Sequence, residues 1–383
     1  MKIAMIGQFP PHIGGVGTHI HNLSKELVKN GAEVFVVTYP HKAIKNSINN
    51  KNTENKNTED NENDKNNEKI HVFSTWGPNI AGLRSLFFLI FGTMKLISIV
   101  RKYDIDIIHG HYLFPAGLVA VLGGIFTKKK VYVTSHGSDI SYLYPKYKFM
   151  RPIIKFVLKH ADVILVVSES LKEELLNIAI PNLDSKVKIH WNAIDIDKFK
   201  PNNDYKFKKE LKRDFDIPID KAIILYVGNL TNRKNVDILI KAKEQISTAS
   251  TLVIVGDGAF FDNLKTIATD SKNKPDDIIF TGSRDNIEDI IPSADLLVLP
   301  SSNESFGLVL LEALACEKPV IGTNIGGIKE IITEEVGLLV KPNDVNDLAK
   351  AINLILSDKE LREKFKSNAR KRAKNFSKMK IPY

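Results

Sequence analysis

At 383 residues the chain exceeds the size at which a single hydrophobic core keeps growing, so two domains of similar size are expected. Its 43% apolar and 26% charged content is that of a globular protein, and the one cysteine, Cys316, excludes intrachain disulfides and a cysteine metal cluster and fits a reducing, cytoplasmic setting. The net charge of +9 comes with no nucleic-acid motif and no aromatic residues interleaved among the basic ones, so no nucleic-acid partner is expected.

Met1 leads directly into the apolar run Ile3 to Ile6, which reads as a first strand without a secretory leader. The next segment, Pro10 to His19, carries glycines at 14, 15 and 17 and opens a helix. Such a turn permits positive φ and close approach of backbone to a phosphate or sugar. Its spacing is not the dinucleotide fingerprint, so alone it says little. A second strand is predicted over Glu33 to Thr38. Residues 45–69 are almost wholly Asn, Lys, Glu, Asp and Thr, a composition that cannot bury enough surface to order itself, and read as a disordered insertion.

Ile70 to Phe73 is the third predicted strand. The apolar stretch Leu86 to Val100, broken by Gly92 and Lys95, is too short and too polar to cross a bilayer and reads as a buried helix or an interfacial surface; Pro115 to Phe126 reads the same way. Strands are predicted over Ile107 to His109 and Val131 to Ser135. The second of these ends on His136-Gly137-Ser138-Asp139, an imidazole and a carboxylate where an open α/β sheet meets its ligands, although Ser and Asp are equally common as helix caps. Lys146, Lys148, Arg151, Lys155 and Lys159 then give an amphipathic segment a basic face. That face reads either as attracted to an anionic membrane or phosphorylated acceptor, or as merely solvated. Strands over Val163 to Val167 and Val187 to His190 complete the first half, and residues 192–201 look like the hinge.

The second half repeats the alternation of strand and helix, with strands over Ala222 to Val227, Thr251 to Val255, Ile278 to Thr281, Leu296 to Leu299, Val320 to Gly322 and Gly337 to Val340. Parallel sheets with crossover helices follow in both halves. Gly228 ends the first of these strands and is followed by Arg233 and Lys234, two cations ahead of a helix whose dipole repels them; a diphosphate would explain their presence. Gly256-Asp257-Gly258 and Gly282 end the next two strands. The fourth runs into Pro300-Ser301-Ser302-Asn303-Glu304-Ser305-Phe306-Gly307, then a helix bearing Glu312. Acids beside an anion site must address something other than the phosphate, and sugar hydroxyls are the partners a carboxylate accepts from. Gly326-Gly327 and Glu330 follow the fifth strand.

Taken together, Gly14-Gly15-Val16, His136-Gly137-Ser138-Asp139, Gly228 with Lys234, Gly256-Asp257-Gly258, Glu304-Ser305-Phe306-Gly307 to Glu312, and Gly326-Gly327 with Glu330 resemble glycosyltransferase family 4 from residue 1 to about 370. The resemblance implies a GT-B fold: two Rossmann-like doubly wound α/β domains facing across a cleft, an acceptor-side domain over residues 1–192, a donor domain over 193–368 and a short tail over 369–383. It implies a retaining transferase that takes a sugar from a nucleoside diphosphate to a lipid-linked, glycan or small-molecule acceptor, with no metal and no cofactor beyond the donor itself. The acceptor-side features lean towards a membrane-linked acceptor at the inner face of a membrane. An epimerase of the same fold and a catalytically silent sugar-nucleotide-binding subunit are the alternatives.

By the same resemblance, Glu312 would accept from the ribose, Glu304 would hold the donor sugar, and Lys234 with Arg233 would neutralise the leaving diphosphate. His136 would contact the transferred sugar. Backbone N–H groups of Gly15, Phe306 and Gly307 would complete the phosphate cradle, and Gly14, Ser305, Gly228, Gly256 and Gly282 would belong to the donor-binding loops around it. No carboxylate nucleophile is implied, so the paired-acid logic of glycoside hydrolases does not apply to Glu304 and Glu312. Three departures from the family pattern stand out: Asn229 where an arginine is usual, Glu317 where a glycine is usual, and a C-terminus that stops at Tyr383 without the usual tryptophan and returning helix, which puts in doubt how firmly the domains are coupled.

Overall fold

The computed structural model describes residues 1–12, 15–40, 69–77, 83–202, 206–215, 221–273 and 277–383. The predicted insertion, save Lys69, and Gly14 lie outside them. The chain forms two compact units, Met1–Trp191 with Met379–Tyr383, and Asn192–Lys378. The polypeptide therefore enters the second unit at the start of the expected hinge and returns to the first for its last five residues.

In the first unit, strands β1 (Lys2–Ile6), β2 (Glu33–Thr38), β3 (Ile70–Ser74), β4 (Ile107–His111), β5 (Lys130–Ser135), β6 (Val163–Val166) and β7 (Val187–Ile189) form one sheet in the order β3-β2-β1-β4-β5-β6-β7. Every pairing is parallel, with Met5 opposite Val36 on one side and His109 on the other. Parallel sheets are covered on both faces, which is why the strands read as continuous apolar runs rather than alternating ones. Ile3, Met5, Val34 and Val36 are fully buried against Ile20, Leu23 and Leu27 of helix α1 (Gly15–Lys29). The strand order reverses between β1 and β4, and at such a switch point the loops leaving the carboxyl ends of the two strands part and leave a crevice.

Helix α2 (Leu83–Tyr103) buries Phe88, Leu96, Ile99 and Val100 and packs on helix α3 (Leu118–Thr127). A Cβ on Gly123 would lie 2.4 Å from Leu96, so glycine is what lets these two helices approach. The expectation of a buried helix holds for one face only. Leu86, Ile90 and Met94 are about half exposed along the other face, beside Trp76, which stacks edge-on to Phe87 and Phe91.

The second unit repeats the plan with β8 (Ala222–Val227), β9 (Ser250–Val255), β10 (Ile278–Gly282), β11 (Leu296–Leu299), β12 (Val320–Thr323) and β13 (Gly337–Val340) in the order β10-β9-β8-β11-β12-β13. Its switch point lies between β8 and β11. Helix α4 (Val236–Lys243) follows the loop after β8, and α5 (Leu308–Ala315) follows the loop after β11. The long helix α6 (Lys359–Lys374) runs through residue 369, where the tail was expected to begin, because Asp358 caps it by accepting from Leu361 N–H and because Phe365, Ala369 and Ala373 bury one face. Its Arg370 donates to the carbonyl of Ala315, closing the end of α5.

The true tail starts at Met379. Its Met379, Ile381 and Tyr383 pack on the first unit's core, the Lys380 carbonyl accepts from His190 Nε2 at 2.6 Å, and the Tyr383 hydroxyl bonds His109 Nδ1. Alternating apolar residues in a five-residue stub thus bring the end of the chain back into the first unit without a helix.

Candidate functional site

In the second unit the candidate residues gather at the switch point. Gly228, Gly256 and Gly282 form a continuous backbone ledge across the ends of β8, β9 and β10: Gly228 N–H donates to Val255 and Gly256 N–H to Gly282. At φ +141° a Cβ on Gly256 would fall 1.9 Å from the Gly228 carbonyl, so no other residue fits. Beyond the ledge a short turn, Asn232–Lys234, presents the two cations. The Ser302 N–H and hydroxyl both donate to the Arg233 carbonyl, tying this turn to the loop after β11.

Lys234 and Glu304 meet in that loop as an ion pair, each less than a fifth exposed. Arg233 is exposed and makes no ion pair among the described residues. The loop itself is held from behind: Gly327 N–H donates to the Glu304 carbonyl, and Cβ atoms on Gly326 and Gly327 would lie 1.9 Å and 2.3 Å from the carbonyls of Glu304 and Ser305. Gly307, at φ +94°, turns the chain into α5. The N–H groups of Ser305, Phe306 and Gly307 donate no hydrogen bond to backbone among the described residues, and no side chain caps α5. They therefore offer donors and the positive end of a helix dipole to an anion. The Phe306 ring is buried against Phe376, so only its amide can serve.

Glu312 sits five residues into α5 with a different set of charged neighbours, Lys198 and Glu288, which themselves pair at 3.5 Å. Burial pushes its carboxyl up to about 7; Lys198 opposes that rise and Glu288 adds to it. Tyr226, fully buried under the ledge, donates to the Asn229 carbonyl at 3.3 Å, and its hydroxyl is held far above the ordinary range by burial and by Glu304. Asn229 itself is exposed.

In the first unit the structure assembles something the sequence did not announce. His19 of α1, His109 and His111 of β4, His136 after β5 and His190 after β7 form one cluster, with His19 meeting His111, His136 and His190 at centroid distances of 5.6, 5.1 and 6.0 Å. Burial lowers the pKa of every member, reinforced by neighbouring imidazoles for His19, His109, His111 and His136 and by Lys380 for His190, with His136 brought down to about 3. His109 is fully bonded, to Tyr383 and to the Thr134 hydroxyl at 2.7 Å. Among the described residues, neither ring nitrogen of His19, nor Nε2 of His111, nor Nδ1 of His190 has a partner. An unsatisfied buried polar group costs about 1–3 kcal/mol, so the cluster is maintained at the expense of stability.

Asp139, singled out with His136, is engaged in holding its own loop. Its buried carboxylate accepts from Ser135 Oγ at 2.7 Å, Leu113 N–H at 2.8 Å and Gly137 N–H at 3.2 Å, and so fixes the loop that carries His136. Gly15 opens α1 with nothing within 4 Å of where a side chain would sit. The signal for the other histidines was present only as His109 and His111 two apart on one strand, which places both on the same face.

Known proteins similar to this chain are glycosyltransferases. Residues 13–198 match the family described as Glycosyltransferase Family 4, and residues 207–372 match Glycosyl transferases group 1. N-acetyl-alpha-D-glucosaminyl L-malate synthase of Bacillus anthracis is 32% identical over 72% of this chain and 72% of its own. An N-acetylgalactosaminyltransferase of Campylobacter jejuni, named for a diphospho-undecaprenol-linked saccharide acceptor, is 29% identical over 82% of this chain and 84% of its own. Among solved structures, HepE of Anabaena with UDP and glucose superimposes at a TM-score of 0.79, covering 99% of this chain and 96% of that one at 20% identity.

Proposed function

The chain belongs to glycosyltransferase family 4 and is a glycosyltransferase of GT-B fold, and from that premise we propose that it is a retaining enzyme whose donor is a nucleoside-diphosphate sugar held by the second unit. The observation that carries the reading is the Lys234–Glu304 pair at a sheet switch point, next to the unbonded N–H groups of Phe306 and Gly307. Diphosphate would take Lys234, Arg233 and those N–H groups; Glu304 and Glu312 would then accept from hydroxyls of the sugar and the ribose. His136, neutral and held by the Asp139 loop, would meet the transferred sugar. The acceptor oxygen bonds to the anomeric carbon as the bond to phosphate breaks on the same face, and the acceptor proton passes to the departing phosphate oxygen. Lys234 offsets the charge that develops there. No metal enters this scheme.

For the acceptor we favour a lipid-linked one at the cytoplasmic face of a membrane. The half-exposed row Leu86, Ile90 and Met94 with Trp76 is a contiguous apolar surface on the first unit, the kind that monomeric globular proteins rarely leave uncovered. Exposed Lys146, Lys148, Lys155 and Lys159 on the same unit add attraction to anionic headgroups.

The deciding experiment incubates the protein with uridine, guanosine and adenosine diphosphate sugars and polyprenyl-linked acceptors, and reads the anomeric configuration of any product by NMR. Product with the donor's configuration supports the reading. Inversion, or conversion of the donor to another sugar nucleotide without acceptor, rejects it.

A further inference from the structure

We propose that His19, His111 and His136 form a binding site for a divalent cation of the zinc class, built wholly within the first unit. One ring nitrogen from each of the three lies within 4.8 Å of the others. His111 Nδ1 and His136 Nε2 face one another at 3.3 Å. Two nitrogens bound at about 2.0–2.1 Å to one tetrahedral ion stand roughly 3.3–3.4 Å apart, so this pair already has the spacing of a coordination edge. His19 reaches the third position from α1, with both nitrogens buried and unbonded among the described residues, which a ligand role would explain and a packing role does not.

The chemistry of the set selects the ion. Three imidazoles suit zinc, nickel or copper; among the described residues the oxygen-seeking magnesium and calcium would find no free carboxylate there, since Asp139 is committed to Ser135, Leu113 and Gly137. The neighbouring rings are held in place as well. His190 donates Nε2–H to the Lys380 carbonyl, which leaves the lone pair on its Nδ1, and its ring stands perpendicular to that of His19 at a centroid distance of 6.0 Å. His109, bonded at both nitrogens, stacks on His111 at 4.2 Å and fixes its plane. Three protein ligands leave a fourth position for water. If His136 also serves the transferred sugar, a consequence that rests on the transferase reading, the ion and the sugar compete for it.

The test uses the full chain, stripped of metal and dialysed against low-micromolar Zn2+ in the presence of excess Mg2+. One equivalent of zinc is expected, with X-ray absorption of the unaltered protein showing a nitrogen-rich shell with imidazole scattering. Co2+ in place of zinc should give the visible absorption of a tetrahedral site. His19→Ala and His111→Ala should each weaken retention about tenfold or more. Retention well below one equivalent, an all-oxygen shell, or binding unchanged in both variants overturns the proposal. The absorption measurement on the unaltered chain decides the matter even where a variant fails to fold, and none of these readouts requires sugar transfer.

Discussion

Lys234 and Glu304 stand seventy positions apart in sequence yet form one ion pair, which joins the turn after β8 to the loop after β11. The two strands are the neighbours between which the second sheet reverses its order, so the pair marks the crevice from both sides. Without donor each charge satisfies the other. A diphosphate would compete for the ammonium and release the carboxylate towards sugar hydroxyls.

Lys234→Ala should therefore lower turnover about 10²–10³-fold, the loss typical of one preorganised group removed from a developing charge, while donor affinity falls far less. Steady-state rates with saturating donor check this. Activity within a factor of two of the unaltered enzyme would transfer the role to Arg233.

Donor affinity should rise with pH through about 7. The raised Glu312 carboxyl is protonated below that value and accepts poorly from ribose hydroxyls, and donor binding to the ionised form should release a proton. In the donor-free protein the sign is opposite. A carboxyl whose folded value lies above its unfolded one lowers stability as pH climbs from about 4.5 to about 7, and Glu312→Gln should remove that loss, raising Tm at pH 8 but not at pH 4. Calorimetric titrations at pH 6 and 8 and thermal scans test both halves. A flat affinity profile in the unaltered protein would refute the ribose assignment.

Gly326→Ala should damage donor binding as well as stability, because its Cβ would meet the Glu304 carbonyl at 1.9 Å and the backbone there is left-handed at φ +45°. A loss of about 1–3 kcal/mol is expected. Gly282→Ala, left-handed at φ +70° but with open space around it, should cost about 1 kcal/mol or less. Equal effects from the two, measured by denaturant unfolding and by donor titration, would contradict the support given to the Glu304 loop.

Ile90→Glu with Met94→Glu should abolish co-sedimentation with anionic vesicles while leaving the fold intact, since both side chains are about half exposed or more. Undiminished sedimentation would locate membrane contact elsewhere.

The strands were legible because each is a short β-branched, apolar run closed by glycine, proline or a polar cluster, and the alternation with helices fixed the class of fold. The second unit's site was legible for a related reason: its residues lie in contiguous stretches at strand ends, where Gly228 to Lys234 and Glu304 to Glu312 announce themselves. The histidine cluster was not, since positions 19, 109, 111, 136 and 190 share nothing along the chain and meet only through the β1-β4-β5-β6-β7 order. Asp139 was ambiguous because a cap and a reacting acid look alike until its three donors are seen. The docking of the last five residues was not legible because alternation over so short a stretch carries too little pattern, and the Tyr383–His109 bond that anchors them has no local signature.

The glycine ledge at Gly228, Gly256 and Gly282 limits how this protein can change. Whatever lies along that ledge is met by main chain, and main chain is the same under every codon. If the donor's nucleotide lies there, as proposed, preference among nucleotides is not stored in a side chain at Gly228 or Gly256, and a single mutation at those positions has little to rewrite. A shift in preference would need loops of new length or course, exchanged as whole segments.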